Sequence, residues 1–428
     1  MVRKMTQEIL QKFFEKLEGE NKENNFKQTE IGLIPEDWEV VRLGEVSEIK
    51  QGKTPRREEY DDFQGFRIIK VKDFEDGEKV KIPAFGERSF TKVNLGERYQ
   101  LKKGDSLILS ASHSSEIVGQ KIGYFDYDGD EKIFFVAELL RVRPDQTKII
   151  PYFCFLILNL NATRNQIKEQ VKGGHLYARD LKNILIPLPP LPEQRKIAGV
   201  LDKIQQAIEL QDRIIEQAKN LKKSLMQKLF TEGLYGEEQK ETEIGLIPKS
   251  WEVVKFEDSI LKRRIEIGKI KQQEYKAFGK YPVIDQSQNY IAGFCDDDEK
   301  VYRGDLPVII FGDHTRVFKF VNFPFVVGAD GVKVLIPNKE IYDPKFLFYT
   351  MLTLNIPSRG YNRHYKLLRE KKLPLPPLEE QKQIVHILST VDKKIEVEQK
   401  RKQVLKALFE TMLHKLMSGE IRLKEVEV

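Results

Sequence analysis

Apolar residues recur at alternating intervals of four and three along two long stretches of the chain. The first runs through Ile197, Leu201, Ile204, Ile208, Gln211, Ile215 and Ala218, then after a small phase slip through Leu221, Leu225 and Leu229. The second runs through Ile384, Leu388, Val391, Ile395, Glu398, Lys402, Leu405, Phe409, Met412 and Leu416. A sustained period near 3.5 predicts two helices that share a coiled-coil seam, each about 38 residues or ~57 Å long. The polar layers at Gln211 and at Glu398/Lys402 fall near the helix middles, where antiparallel pairing would bring them together and help fix register. The competing reading is two surface helices on separate domains.

Elsewhere the pattern is mixed. Short β-rich runs, RIIKV (67–71), SLILSA (106–111), KIFFV (132–136), LPVII (306–310) and VKVLI (332–336), are split by Gly and Asp turns. PYFCFLILNL (151–160) and PKFLFYTMLTL (344–354) read as matching short helices. The proline-rich segments 187–192 and 374–378 cannot continue a helix and act as stiff hinges before the long helical stretches.

These elements belong to a duplication. TEIGLIPEDWEVV at 29–41 returns as TEIGLIPKSWEVV at 242–254, with eleven of thirteen positions identical. IPLPPLPEQRKI at 186–197 returns as LPLPPLEEQKQI at 373–384, with eight of twelve identical. The two offsets are 213 and 187, so the second copy is 26 residues shorter between its markers. A period near 200 means repeated domains, not a solenoid. The expected fold class is α+β: two mixed α/β recognition heads and two long antiparallel coiled-coil helices, related by a pseudo-two-fold. The boundaries read as an N-terminal helix and linker (1–28), first head (29–190), first spacer helix (191–232), second head with entry linker (233–377), second spacer helix (378–418) and C-terminal tail (419–428). In the N-terminal segment Ile9, Phe13, Phe14 and Leu17 share one helical face, and 19–28 reads as a polar linker.

Composition narrows the classes without choosing among them. At 428 residues the chain allows about three domains of ~150 residues. No apolar run approaches the ~20 residues that span a bilayer, and MVRKMTQEIL lacks the apolar core of a secretory signal. Cys154 and Cys295 cannot build a disulfide framework or a four-cysteine zinc site. The expectation is a cytoplasmic protein that binds neither membrane nor metal. Seventy-two Lys and Arg against 66 Asp and Glu leave a net charge of +6, a mild push toward nucleic acid. A pseudo-two-fold pair of heads also suits the opposed half-sites of duplex DNA.

The motifs together carry a resemblance. IGLIPxxWEVVxLGE at 31–45, GKTPRR at 52–57, the proline-to-helix text at 187–204, IGLIPKSWEVV at 244–254, FGDHTRV at 311–317 and PLPPLEEQKQIV at 374–385 are similar to the specificity subunits of type I restriction-modification enzymes. The resemblance covers about 29–418. It implies two target recognition domains reading a bipartite asymmetric duplex target, two helical spacers, two docked modification (methyltransferase) subunits, and restriction subunits that translocate and cleave. It places S-adenosylmethionine, ATP and Mg on those partners and no cofactor on this chain.

The residues agree that chemistry lies elsewhere. There is no G-x-G-x-x-G fingerprint, QGKTP lacks the upstream glycine of a phosphate-binding Walker loop because position 47 is Ser, and the histidines show no metal spacing. The candidate DNA contacts are polar clusters in matching places. In the first half they are Lys53, Thr54, Arg56 and Arg57; Ser112, His113 and Ser114; and His175, Tyr177 and Arg179. In the second they are Gln286, Gln288 and Asn289; His314, Thr315 and Arg316; and Asn362, Arg363 and His364. Arg can take guanine and Asn or Gln adenine by paired hydrogen bonds, while hydroxyls and His donate to phosphate. Asp313 and Gly312 are expected to shape a turn. A coiled-coil scaffold with no nucleic-acid role is the alternative; it leaves the paired polar loops unexplained.

Overall fold

The computed structural model describes residues 25–423, apart from 84, 87, 264–267, 359 and 361. The chain forms two compact units: residues up to 211 with those from 401 onward, and residues 212–400. These units do not break at the proline hinges, because each takes one half of each long helix. The helices span Leu191–Thr231 and Leu378–Met417, within one residue of the boundaries expected from the seam.

In the first unit the start of the first long helix packs against the end of the second: Ile197 and Leu201 share a core with Met412, Leu416 and Met417. In the second unit the opposite ends meet, with Leu229 and Phe230 beside Ile384 and Leu388. The pairing is therefore antiparallel. Ile208, Ile215, Gln211 and Glu398 are buried as seam positions should be, while Ile204, Leu225, Val391, Ile395, Lys402 and Leu405 are half-buried. Leu221 is a correction. It is 54% exposed, and the neighbouring Lys222 turns inward to meet Asp392 at 2.6 Å.

In each head the two repeated motifs pair with one another. Strand Glu39–Arg42 runs antiparallel to Leu185–Leu188, and Glu252–Lys255 to Lys372–Leu375, so the WEVV text closes on the strand that enters the hinge. The hinge is then locked to the helix beyond it. Gln194 accepts from the Ile150 amide at 2.9 Å and donates to the Pro189 carbonyl at 2.8 Å. Gln381 does the same for Asp343 (2.8 Å) and Pro376 (2.8 Å). Both short helices, Pro151–Leu158 and Pro344–Thr353, begin with proline, whose missing N–H costs nothing in the first turn.

Beside its two-stranded pairs, each head carries two larger sheets of three or four strands. In the first, strands Ser47–Gln51, Leu139–Pro144, Ser106–Leu109 and Ile122–Tyr124 lie in that order, and Ile133–Phe135 runs parallel to Phe66–Ile69 in the other sheet. In the second, Val308–Gly312 lies between Phe318–Val321 and Val332–Leu335, and Tyr281–Ile284 runs parallel to Phe325–Val327. The central strands are buried on both faces, which is why Ser106–Leu109 and Val308–Gly312 read as continuous apolar runs. The strand expected over 67–71 ends at Ile69, because Asp73 accepts from the Lys70 amide at 2.7 Å and folds Val71–Asp73 into a single tight turn.

Two boundary expectations are overturned. Phe26–Thr29 is a strand paired with Gly32–Pro35, so the linker does not extend to 28. Gly419–Leu423 is no tail either: Ile421 and Leu423 enter the first core, and Arg422 is 5% exposed. The N-terminal helix expected before residue 19 lies outside the described residues. Among the described residues no helix is long and apolar enough to cross a membrane.

Candidate nucleic-acid interface

Three of the polar segments of the first head converge on the turn at Glu138. Gly52 approaches so closely that a Cβ would lie 2.1 Å from the Val136 carbonyl, and the Lys53 amide donates to Phe135 at 3.0 Å. Thr54 donates its hydroxyl to Glu138 Oε2 (3.0 Å) and accepts from the Ala137 amide (2.9 Å). The Ser110 amide donates to the Glu138 carbonyl at 2.8 Å, and Ser110 in turn accepts from Leu176 at 2.8 Å. GKTPRR, LSASHSSE and GGHLYARD therefore end at one place although more than 50 residues separate them in pairs.

The candidates there divide by exposure. Lys53, Arg56, Arg57, His113, Ser114, His175, Tyr177 and Arg179 are exposed, whereas Ser112 is half-buried and accepts from the Ser114 amide. The hydroxyl of Thr54 is used internally and holds the loop. His175 stacks on Tyr177 with ring centroids 6.2 Å apart, and the Arg179 guanidinium lies 5.3 Å from the Tyr177 ring. Flat, cationic and aromatic groups side by side suit bases and phosphates.

The second head gathers its segments around Asp313, which is 2% exposed. Its carboxylate accepts from the Tyr365 amide at 2.7 Å, its carbonyl from the His364 amide at 2.8 Å, and its amide donates to Gly331 at 2.6 Å. Gln286 closes the other side, accepting from the His314 amide (3.1 Å) and donating to the Asp330 carbonyl (3.0 Å). Thr315 donates to the Gln286 carbonyl at 2.6 Å. The structural parts expected of Asp313 and Gly312 are found; a Cβ on Gly312 would sit 2.2 Å from the Thr315 hydroxyl.

His364 is the clear correction among the candidates. It is fully buried, with Nδ1 2.9 Å from the Asp313 carbonyl, so it braces the loops and offers no surface to a duplex. Gln286 and Thr315 are likewise committed to loop–loop bonds. Gln288, Asn289, Arg316, Asn362 and Arg363 are exposed, and His314 is half-buried. Arg316 holds φ at +63°, in the left-handed region that side-chain-bearing residues seldom adopt, while its guanidinium donates to the Ile356 carbonyl at 2.9 Å.

Two organising residues escaped the reading of the sequence. Glu138 sits in an ordinary-looking turn, and Lys319 in a strand pattern, where a lysine usually faces water. Only alternation could have hinted at Lys319, since it occupies a buried position between Phe318 and Phe320. Among the described residues no group of three His, Cys, Asp or Glu side chains could hold a metal ion.

The type I restriction modification DNA specificity domain matches this chain twice, at 35–220 and 248–407. A Methanocaldococcus jannaschii chain assigned as the type I restriction enzyme MjaX specificity subunit is 31% identical, over 94% of this chain and 98% of its own length. The MjaVIII specificity subunit of the same organism is 27% identical, over 95% and 98%. In fold, the crystal structure of the S subunit from M. genitalium superimposes with a TM-score of 0.60 at 16% identity, covering 92% of this chain and 97% of that one. With both domain matches falling on the two duplicated halves, the chain belongs to the family of type I restriction-modification specificity subunits.

Proposed function

We propose that this specificity subunit reads a bipartite, asymmetric duplex target, one half-site per head, and positions two modification (adenine methyltransferase) subunits and the restriction subunits on it in the cytoplasm. S-adenosylmethionine, ATP and Mg belong to those partners, and this chain contributes recognition. One observation carries the reading. On a repeated frame, each head brings three separate polar segments to one end, and the sets exposed there differ: His113, His175 and Tyr177 beside arginines in the first, Gln288, Asn289 and Asn362 beside arginines in the second. A shared frame with different tips is what two different half-sites require. A scaffold role alone gives no reason for the convergence.

The experiment has two arms. The purified chain should bind duplex DNA with an affinity that falls steeply between about 50 and 200 mM salt, and should transfer no methyl groups. Sequencing of methylated sites in a host carrying the chain with its partner genes should return a two-part motif with an unspecified gap. A salt-independent affinity, methyl transfer by the pure chain, or a single uninterrupted motif would each overturn the reading.

A further inference from the structure

The loop Asp285–Ile291 is exposed at its tip yet held from several sides. It follows the strand Tyr281–Ile284, whose last two residues are fully buried. Asp285 accepts from the Ser287 amide at 2.9 Å and the Ser287 hydroxyl at 2.6 Å, which tightens the turn. Tyr290 donates its hydroxyl to the Phe320 carbonyl and sets its ring edge-on to Phe323. From beneath, Lys319 donates to the Asn289 carbonyl and lies 3.6 Å from Asp285. Gln286 ties the near side to the Asp313 cluster, as described above.

Lys319 is 4% exposed, and burial pushes its ammonium below the ordinary lysine value against the pull of Asp285. An isolated buried charge is costly, so a lysine here needs a structural return, and the return on view is a fixed loop backbone. What the fixed backbone presents is specific. Gln288 and Asn289 are exposed, and among the described residues neither side-chain amide has a hydrogen-bond partner. Beside them Ile291 is 39% exposed. An amide offers a donor and an acceptor together, the complement of adenine N6 and N7, and an aliphatic side chain suits the thymine methyl. Holding the amides on a rigid turn lowers the entropy lost when they engage.

The first head does not repeat this. Its corresponding strand, Phe66–Ile69, is followed by Lys70–Phe74, in which Lys121 donates to the Val71 carbonyl but Phe74 is buried and no amide side chain occurs. A lysine braces the loop in both heads; only the second turns it into a display of amides.

We propose that Asp285–Ile291 is the base-reading loop of the second head, that Gln288 and Asn289 select adenine in its half-site, and that Lys319 is the positioning residue that holds them. This rests on the bipartite reading above and names the element that performs half of it.

The test uses the full chain with its modification subunits and reads the methylated motif and competitive duplex binding. Gln288→Ala with Asn289→Ala should relax one or two A·T positions of one half-site by roughly 5–150-fold per lost paired contact, and leave the other half-site unchanged. Both residues are exposed, so folding is not at issue. Lys319→Met should relax the same positions and leave the other half-site unchanged. An unchanged motif in the double variant overturns the loop assignment. Equal weakening of both half-sites by Lys319→Met overturns its positioning role. If the unaltered complex itself yields no two-part motif, it is the bipartite reading that fails, which separates the two failures.

Discussion

At the foot of the first head Trp38 donates to Glu193 at 3.0 Å, and at the foot of the second Trp251 donates to Glu380 at 2.9 Å. Both tryptophans are fully buried, and both carboxylates belong to the repeated proline-to-helix motif. Beyond that shared bond the two junctions part. Glu193 binds Arg422 through both oxygens, at 2.6 and 2.7 Å, and Arg422 also reaches Asp37 at 2.9 Å. Glu380 instead accepts the Leu234 amide at 2.8 Å, the first residue past Gly233 at the end of a long helix. One junction is thus closed by an ion pair from the C-terminal segment, the other by backbone.

This explains the only two differences within the thirteen-residue repeat. Asp37 is the second partner of Arg422; Ser250, in its place, bonds Glu237 at 2.5 Å, and Lys249 pairs with Glu238 at 2.6 Å. The repeat diverged where each copy meets a different closing segment and nowhere else. Next to the junctions the divergence is larger. Ile150 with Gln194 and Asp343 with Gln381 fix the correspondence, by which Tyr349 and Asp392 stand where the first unit has Leu156 and Gln205. QKLF at 227–230 matches HKLM at 414–417, which likewise sets Lys222 against Phe409. In the second unit these residues form a polar network, with Tyr349 donating to Asp392 at 2.6 Å and Lys222 5.2 Å from the Tyr349 ring. Burial, and then Asp392, hold the Tyr349 phenol well above its ordinary value. In the first unit Leu156, Gln205 and Phe409 border a cavity of about 170 Å³. The same scaffold position holds a hydroxyl–carboxylate–ammonium network in one copy and Leu156, Gln205 and Phe409 in the other.

The chain has two tryptophans, one per junction, so single-tryptophan variants report each unit separately. The largest effect should come from Glu193→Gln, which leaves buried Arg422 short of its main partner and should cost about 3–5 kcal/mol in urea unfolding followed through Trp38. Glu380→Gln sets one donor against another without stranding a charge, and should cost about 1–3 kcal/mol through Trp251. Equal losses would break the contrast between an ion-paired and a backbone-closed junction. Next, Tyr349→Phe should cost about 1.5 kcal/mol in the second unit, while Gln205→Ala in the first stays within about 0.5 kcal/mol. A smaller loss than that of Tyr349→Phe is expected from Asp37→Ser, which makes the first repeat read like the second and should cost ~0.5–1 kcal/mol because Asp37 is partly exposed. Leu33→Ser and Leu246→Ser, at matching exposed hairpin tips, should each stay within ~0.5 kcal/mol.

Periodicity and repetition were enough to place the long helices, the hinges, the duplication and most of the polar segments, because each of these is written in residues close together along the chain. A seam every 3.5 residues needs no partner to be recognised, and a copied motif announces itself. Tertiary structure decided the rest. Arg422 and Glu193 lie 229 positions apart, and nothing local marks the arginine as buried. The fate of the candidates turned on the same limit. His364, Gln286 and Thr315 look as available as Gln288, Asn289 and Arg363 in the text of the chain, yet the first three are spent on holding loops together. Polar residue types state what a side chain can bond; whether another loop has already claimed those bonds depends on which distant segments the sheets bring to the same end.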